Sequence, residues 1–343
     1  MIHSCPPLRL AIVTVAAAVA AAAGHVKAQE AAAPAPAAAQ VATAKLDEVK
    51  KTVRVEIGGS LFTELIYAGQ PKPVLFPVVG PEGFLMTRQW PILPKAPGEE
   101  TDHPHHRGLW FSHGAVNGVD FWSEVPGAGK IVVQGLPEIV PGGPGGSVTL
   151  KTKEAWEKTP GQPVLHSATV IRLGADEGDR YLDYTITLNA DQGEVLLGDT
   201  KEGTMAIRVN PLLNLKGEVA KGSAVNSAGN ENLTAWGKHA QWVDYWAPTP
   251  SGVIGLACFD SPSNLRSPTT WHARDYGLIA ANPFGLHDFE KAPKGTGDYT
   301  IKKGESLTLR YRWLFHTGNA KTAKIAERWK AWAEVKGLID PLK

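Results

Sequence analysis

From about residue 45 onward, apolar and polar residues alternate with a period of two along most of the chain. The pattern recurs in TVRVEIGG, LFTELIYA, VLFPVVG, SVTLKTKEAW, LHSATVIRL, YLDYTITLN, MAIRVN, WVDYWA, GVIGLACF, GLIAAN, DYTIKK and SLTLRYRWLFH. Successive side chains of a strand point to opposite faces, so each run predicts a strand with a buried side. Gly, Pro, Asn and Asp separate the runs. Many short strands punctuated in this way predict an all-β fold, a large antiparallel β-sandwich. In the last run Leu307, Leu309, Tyr311, Trp313 and Phe315 share one face, while Thr308, Arg310, Arg312 and His316 share the other. That polar face reads as a solvated outer surface, with a concave binding surface as the alternative.

The period changes near the C-terminus. In AKTAKIAERWKAWAEVKG, residues Ile325, Trp329, Trp332 and Val335 recur at helical spacing. Asn319 is placed to cap this helix and Gly337 to stop it, so one C-terminal helix is expected to pack on the sandwich. GLPEIVPGGPGGS, residues 135 to 147, reads as a turn-rich crossing between strands.

The N-terminus follows neither period. Arg9, the apolar run Leu10 to Ala23, and Val26-Lys27-Ala28 have the layout of a signal peptide over residues 1–28. The run is shorter than the roughly 18 residues of a membrane span. The mature chain is therefore expected to be periplasmic or secreted, without membrane insertion. Residues 29–44 are Ala/Pro-rich and read as a disordered linker, leaving 45–343 as a single β-sandwich domain. Of the two cysteines, Cys5 lies in the leader, so Cys258 has no partner in the mature chain; its apolar flanks predict a buried, inert thiol. The 35 Lys and Arg nearly balance the 34 Asp and Glu, and only Arg9 and Lys27 leave with the leader. A near-neutral surface argues against a nucleic-acid partner.

Candidate chemistry gathers in a few segments. No phosphate loop, dinucleotide GxGxxG, HExxH, CxxC or GxSxG elbow occurs, so no nucleotide cofactor is expected. HPHHRG instead concentrates His103, His105, His106 and Arg107, with His113 close behind, in a chain of only 11 histidines. In an extended segment His103 and His105 would project together, as a metal-binding H-x-H pair does. On that reading the cofactor is a divalent transition metal held by His103, His105, His113 and His287. The same residues also suit acid/base work, with a histidine moving a proton and Arg107 meeting oxygen charge. A plain polar turn is the third reading.

Three further segments carry polar and aromatic residues together. TTWHARDYGLIAANPFGLHDF holds Trp271, His272, Arg274, Asp275, His287 and Asp288; DTKEGTMAIRVN holds Lys201 and Glu202 ahead of a strand; GKHAQWVDYW holds Lys238, Trp242 and Tyr245. Of these, His272, Arg274 and Glu202 are taken as candidates for catalysis. The others, together with Trp110, are taken as candidates for substrate binding. Indole faces beside hydrogen-bonding groups fit a pyranose, so a small sugar or glycan is the expected partner. The alternatives are core packing for the tryptophans and ordinary surface ion pairs for the charges.

DHPHHRGLWFSHGAVNGVDFW, KEGTMAIRV, GKHAQWVDYW, TTWHARDYGLIAANPFGLHDF and SLTLRYRWLFH resemble the secreted bacterial PmoA family across nearly all of residues 50 to 335. The family is described as a domain of unknown function under a methane-oxygenase label. The resemblance implies an all-β sandwich and, through its label, a copper-dependent oxygenase using His103, His105, His106 and His113. At the level of fold, such a sandwich is also similar to galactose mutarotase-like proteins. The residues themselves favour an exported, carbohydrate-active enzyme using histidine-mediated proton transfer on an oxidised sugar, by epimerisation, elimination or hydrolysis. A metal-dependent oxygenase and a non-catalytic carbohydrate-binding protein stay as alternatives.

Overall fold

A computed structural model describes residues 1–3 and 40–335. Most of the expected signal peptide, most of the Ala/Pro-rich stretch, and Gly337 lie outside these residues. The fold of residues 40–335 is an all-β sandwich of two large antiparallel sheets. One has eight strands; their spatial order is Ala42–Asp47, Thr52–Ile57, Ser60–Ile66, Val74–Val78, Leu109–His113, Gly203–Arg208, Leu278–Asn282 and Thr270–Ala273. The other has nine. Its middle is formed by the long strands Ser147–Thr159, Gln162–Asp176, Asp179–Asn189 and Ser306–Thr317. Every run of alternating residues quoted above forms a strand. Among the described residues no helix is long and apolar enough to cross a membrane.

Two local expectations need correction. The first strand starts at Ala42, inside the stretch read as linker. Within the supposed crossing, Glu138–Gly143 is a strand paired to Ser147–Thr159. Its proline and two glycines are compatible with this because it lies at the sheet edge, where ladder hydrogen bonds are needed on one side only.

The main core fills the space between the sheets, where Leu307, Leu309, Tyr311, Trp313 and Phe315 all face inward. The opposite face of that strand is not simply solvated. Arg312 and Arg172 both pair with Asp183, and the helix Ile325–Ala333 closes over them, with Trp332 Nε1 donating to Asp183 Oδ1 at 3.0 Å. Ile325 and Trp332 are buried there against Tyr181, Phe259 and Leu314. Val335, expected on the apolar side of the helix, is exposed. Asn319 Oδ1 caps the turn before the helix, accepting from the amides of Lys321 and Thr322. His316 and Asp244 form a fully buried pair at 2.8 Å on the same outer side.

The outer face of the eight-stranded sheet carries a second polar layer. In Leu109–His113, Leu109 and Phe111 point into the core and Trp110 points outward; Ile207 and Ala206 divide likewise, as do Ile279 and Ala280. Cross-strand pairing aligns Trp110, Ala206, Ala280 and His272 in one row on that outer face. The two alanines lie in that row between a large indole and an imidazole, packed with Val74, Trp122 and Leu278. Residues 84–108 and 120–124, together with Tyr276, fold over this row.

Candidate functional site

HPHHRG lies in a tight turn rather than an extended strand. His106 N–H donates to the His103 carbonyl at 3.0 Å, with Pro104 at the second position, where a fixed φ favours a turn. The turn adds a contact three residues apart to the expected H-x-H neighbours, whose rings lie edge-on at 5.7 Å. The His103 and His106 rings stack at 4.7 Å with 7° between planes, and His105 meets His106 edge-on at 4.5 Å. The stack continues from His103 to Tyr276 at 5.0 Å and from His106 to Trp110 at 5.4 Å. Trp122 packs on Trp110 beneath it.

Asp102 organises this stack. Its carboxylate accepts from Arg88 Nη1 at 2.7 Å, from Arg208 Nη2 at 2.8 Å and from His103 Nδ1 at 2.6 Å. Burial alone would raise its pKa, yet the His103 hydrogen bond and the two guanidinium groups hold it well below the usual carboxylate range. Arg88 and Arg208 are each 2 % exposed. Arg88 also donates to the carbonyls of Glu100, Asp102, His103 and His106, fixing the backbone of the turn. Burial, with Arg208 nearby, lowers its pKa to about 10.

These bonds set the tautomers. The Arg208 guanidinium has only donors, so at 3.1 Å from His106 Nδ1 it makes that nitrogen an acceptor and puts the His106 proton on Nε2. Burial and the neighbouring imidazoles and arginines push the His106 pKa far down, so the ring stays neutral. In His103 the polarity is reversed. Nδ1–H donates to Asp102, so the tautomer of the neutral ring has its lone pair on Nε2, and the ring is half-exposed. Among the described residues no hydrogen bond engages His103 Nε2.

Arg107 holds Glu124 through two parallel hydrogen bonds of 3.0 and 2.7 Å, and Lys72, itself buried, donates to Glu124 at 3.0 Å and to the Trp122 carbonyl. Burial pushes the Lys72 pKa down. Burial and the Lys72 charge bring His105 to about 4, so it too is neutral at ordinary pH. Arg107 is thus anchored in an ion pair rather than pointed free at a ligand.

The second segment reaches the first through Tyr276. The Arg208 guanidinium lies 4.6 Å and that of Arg274 5.3 Å from the Tyr276 ring, on which His103 also stacks. His272 is buried, hydrogen-bonds the Lys201 carbonyl at 3.0 Å, and is brought to about 3 by burial and by the Arg274 and Lys201 charges. Lys201 pairs with Glu202 at 2.9 Å on the surface, and its amide donates to Asp288. His103, His105, His106, His272, Arg274, Lys201 and Tyr276 therefore form one neighbourhood, with Glu202 at its edge.

Other candidate residues lie elsewhere. His113 falls two residues beyond Phe111 on the inward face, where it contacts Phe284 and the Gly198 carbonyl; burial brings it to about 4. His287 is exposed and bonded to the Ala292 carbonyl. Lys238 is exposed on a turn. Trp242 packs under the C-terminal helix, Trp271 and Tyr245 lie in the main core, and Trp110 is buried beneath the histidines. None of these four rings offers a free face to a sugar. Asp275 is half-buried, and its carbonyl accepts the Leu215 amide.

The expected metal centre is corrected by this geometry. Among the described residues no three His, Cys, Asp or Glu side chains are grouped to hold an ion. His103, His105, His113 and His287 are divided between a turn, the core and a distant surface. The turn is also lined with guanidinium groups, which repel a cation.

Asp102, Arg88, Arg208, Lys72 and Glu124 were not identified from the sequence. Asp102 directly precedes the histidines, a usable signal in retrospect; the others are single charges within apolar or turn sequence.

A search of curated proteins finds no match. Among solved structures the chain is similar to an α-galactosidase from Lactobacillus brevis, at 10 % identity and a TM-score of 0.33, covering 82 % of this chain and 40 % of that one. The chain thus spans well under half the length of that enzyme, and so remote a likeness carries no argument about activity. The resemblance to the PmoA family is overturned, because the family model that matches is a different one. The copper oxygenase and the secreted label that came with that resemblance go with it. Matched over residues 52–330 by the model described as "Family of unknown function (DUF6807)", the chain belongs to that family.

Proposed function

We propose that the protein is a carbohydrate-active enzyme that moves a proton on an oxidised sugar, with His103 as the base. The observation that carries this reading is the Asp102–His103 hydrogen bond at 2.6 Å, which in the neutral ring makes Nε2 the acceptor nitrogen. A carbonyl group acidifies the neighbouring C–H. His103 Nε2 takes that proton, and the electron pair left on carbon moves onto the carbonyl oxygen as an enolate. Cationic groups such as Arg274 and Lys201 stabilise the oxygen charge. Return of a proton to the opposite face of the carbon gives the epimer; departure of a β-substituent gives the elimination product.

The burial of Trp110, Trp242 and Trp271 removes the aromatic platform on which a purely binding role depended. The test is exchange of substrate C–H for deuterium in D2O, followed by NMR with the full chain and a panel of keto-sugars and uronates. Exchange with the wild-type protein, lost in His103→Ala while the circular dichroism spectrum is kept, is the expected result. Exchange that survives His103→Ala refutes the assignment of the base.

A further inference from the structure

We propose that the substrate is a sugar acid and that Arg274 receives its carboxylate; this rests on the proton-transfer reading and names the substrate class of the same site. The cationic side chains of the neighbourhood differ in what they already hold. Arg88 and Arg208 share Asp102, Arg107 and Lys72 share Glu124, and Lys201 holds Glu202. Arg274 alone among them has no carboxylate within ion-pair distance and no hydrogen-bond acceptor for its guanidinium among the described residues. Its Nε is buried without a partner, although the neighbouring Asp275 carries a carboxylate. A buried donor left unpaired carries a desolvation cost, so a guanidinium without an acceptor is one that a bound anion stabilises.

The unmatched donors are not confined to Arg274. Arg88 Nε, Arg208 Nε and Trp122 Nε1 are buried and unpaired, and so is His106 Nε2, which the Arg208 contact makes a donor. Two guanidinium groups share one carboxylate at Asp102, and a guanidinium and an ammonium share one at Glu124. His105 and His106 between them are neutral. The surroundings therefore have N–H donors that the protein itself does not satisfy, which a ligand with a negative charge and acceptor oxygens complements.

Position makes the carboxylate part of the chemistry. Arg274 and His103 both lie against the Tyr276 ring. In a uronic acid the C5–H is one bond from the carboxylate carbon, so receptor and base must lie within the width of one sugar. A guanidinium pairing both carboxylate oxygens meets the charge that builds on them as His103 Nε2 removes the C5 proton. Elimination then expels the oxygen substituent at C4 with its bonding pair, and epimerisation returns a proton to C5.

The inference is tested by calorimetric titration of the full chain with D-glucuronate, D-galacturonate and D-glucose. At low salt at least one uronate is expected to bind tenfold or more tightly than glucose. Arg274→Gln is expected to abolish that preference. Arg274→Lys keeps the charge but loses the two-pronged fit, and should keep only part of it. Thermal melts report whether each variant is folded. Equal affinity for uronate and glucose, no uronate binding, or an unchanged preference in a folded Arg274→Gln protein overturns the inference. Uronate binding that depends on Arg274, without C5–H exchange, would leave the carboxylate receptor standing and remove the proton transfer. Exchange on a neutral keto-sugar without uronate binding does the reverse.

Discussion

Replacing Asp102 with Asn tests whether one carboxylate holds the candidate site together. The exchange keeps shape and removes the charge that Arg88 and Arg208 share, and it turns an acceptor oxygen into an N–H donor facing guanidinium donors. Removing one partner of a buried ion pair costs about 3–5 kcal/mol. The Asp102 side chain is 32 % exposed, so water recovers part of that loss, and a destabilisation of about 2–3 kcal/mol is expected. The pH dependence has a definite sign. The folded-state pKa of Asp102 is depressed, so its contribution is fully present above the unfolded value of about 3.9 and is lost as pH falls toward the folded value. Urea unfolding followed by tryptophan fluorescence should therefore show the gap between wild type and variant at full size at neutral pH and narrowing below about pH 4. Other carboxylates, such as Glu124, titrate in both proteins and cancel in the difference. Equal stabilities at neutral pH, or a gap that widens on acidification, would refute the account of Asp102 as the shared counter-ion.

Two predictions concern parts of the fold remote from the histidines. Trp332→Ala removes the indole that covers the Arg172–Asp183–Arg312 group and should cost about 3–5 kcal/mol, with faster proteolysis at the C-terminal helix and unaltered uronate affinity; an unchanged unfolding midpoint would contradict the packing. Burial raises the Cys258 thiol well above its usual value. Peptide mass spectrometry should find Cys258 unmodified by iodoacetamide in the native protein and fully modified in urea, and rapid native labelling would show that the thiol is accessible.

Much of the architecture was legible because it depends on local alternation. Strands such as Thr52–Ile57 and Ser306–Thr317 carry their own two-residue period, whereas Leu109–His113 and Thr270–Ala273, buried on both sides, give no such alternation. The strand Glu138–Gly143 escaped because edge pairing tolerates the Pro and Gly that signal a turn elsewhere. The covered outer side of Ser306–Thr317 escaped because a polar residue gives the same signal facing water as facing Asp183 beneath a helix. The candidate site was legible as a concentration of unusual residues, and the histidines of the turn, Arg274, His272 and Lys201 do meet.

Residue order by itself determined the sandwich, the lone buried thiol and the segments that carry chemistry, since hydrophobic period and local composition act over a few neighbours. The tertiary structure alone decided which imidazole is bonded to a carboxylate, which arginine lacks a partner, and which tryptophans are core. The physical reason is that tautomer, charge balance and burial depend on groups far apart in sequence: Arg208 reaches His106 across 102 positions, and a turn of the backbone separates His103 from the inward-facing His113.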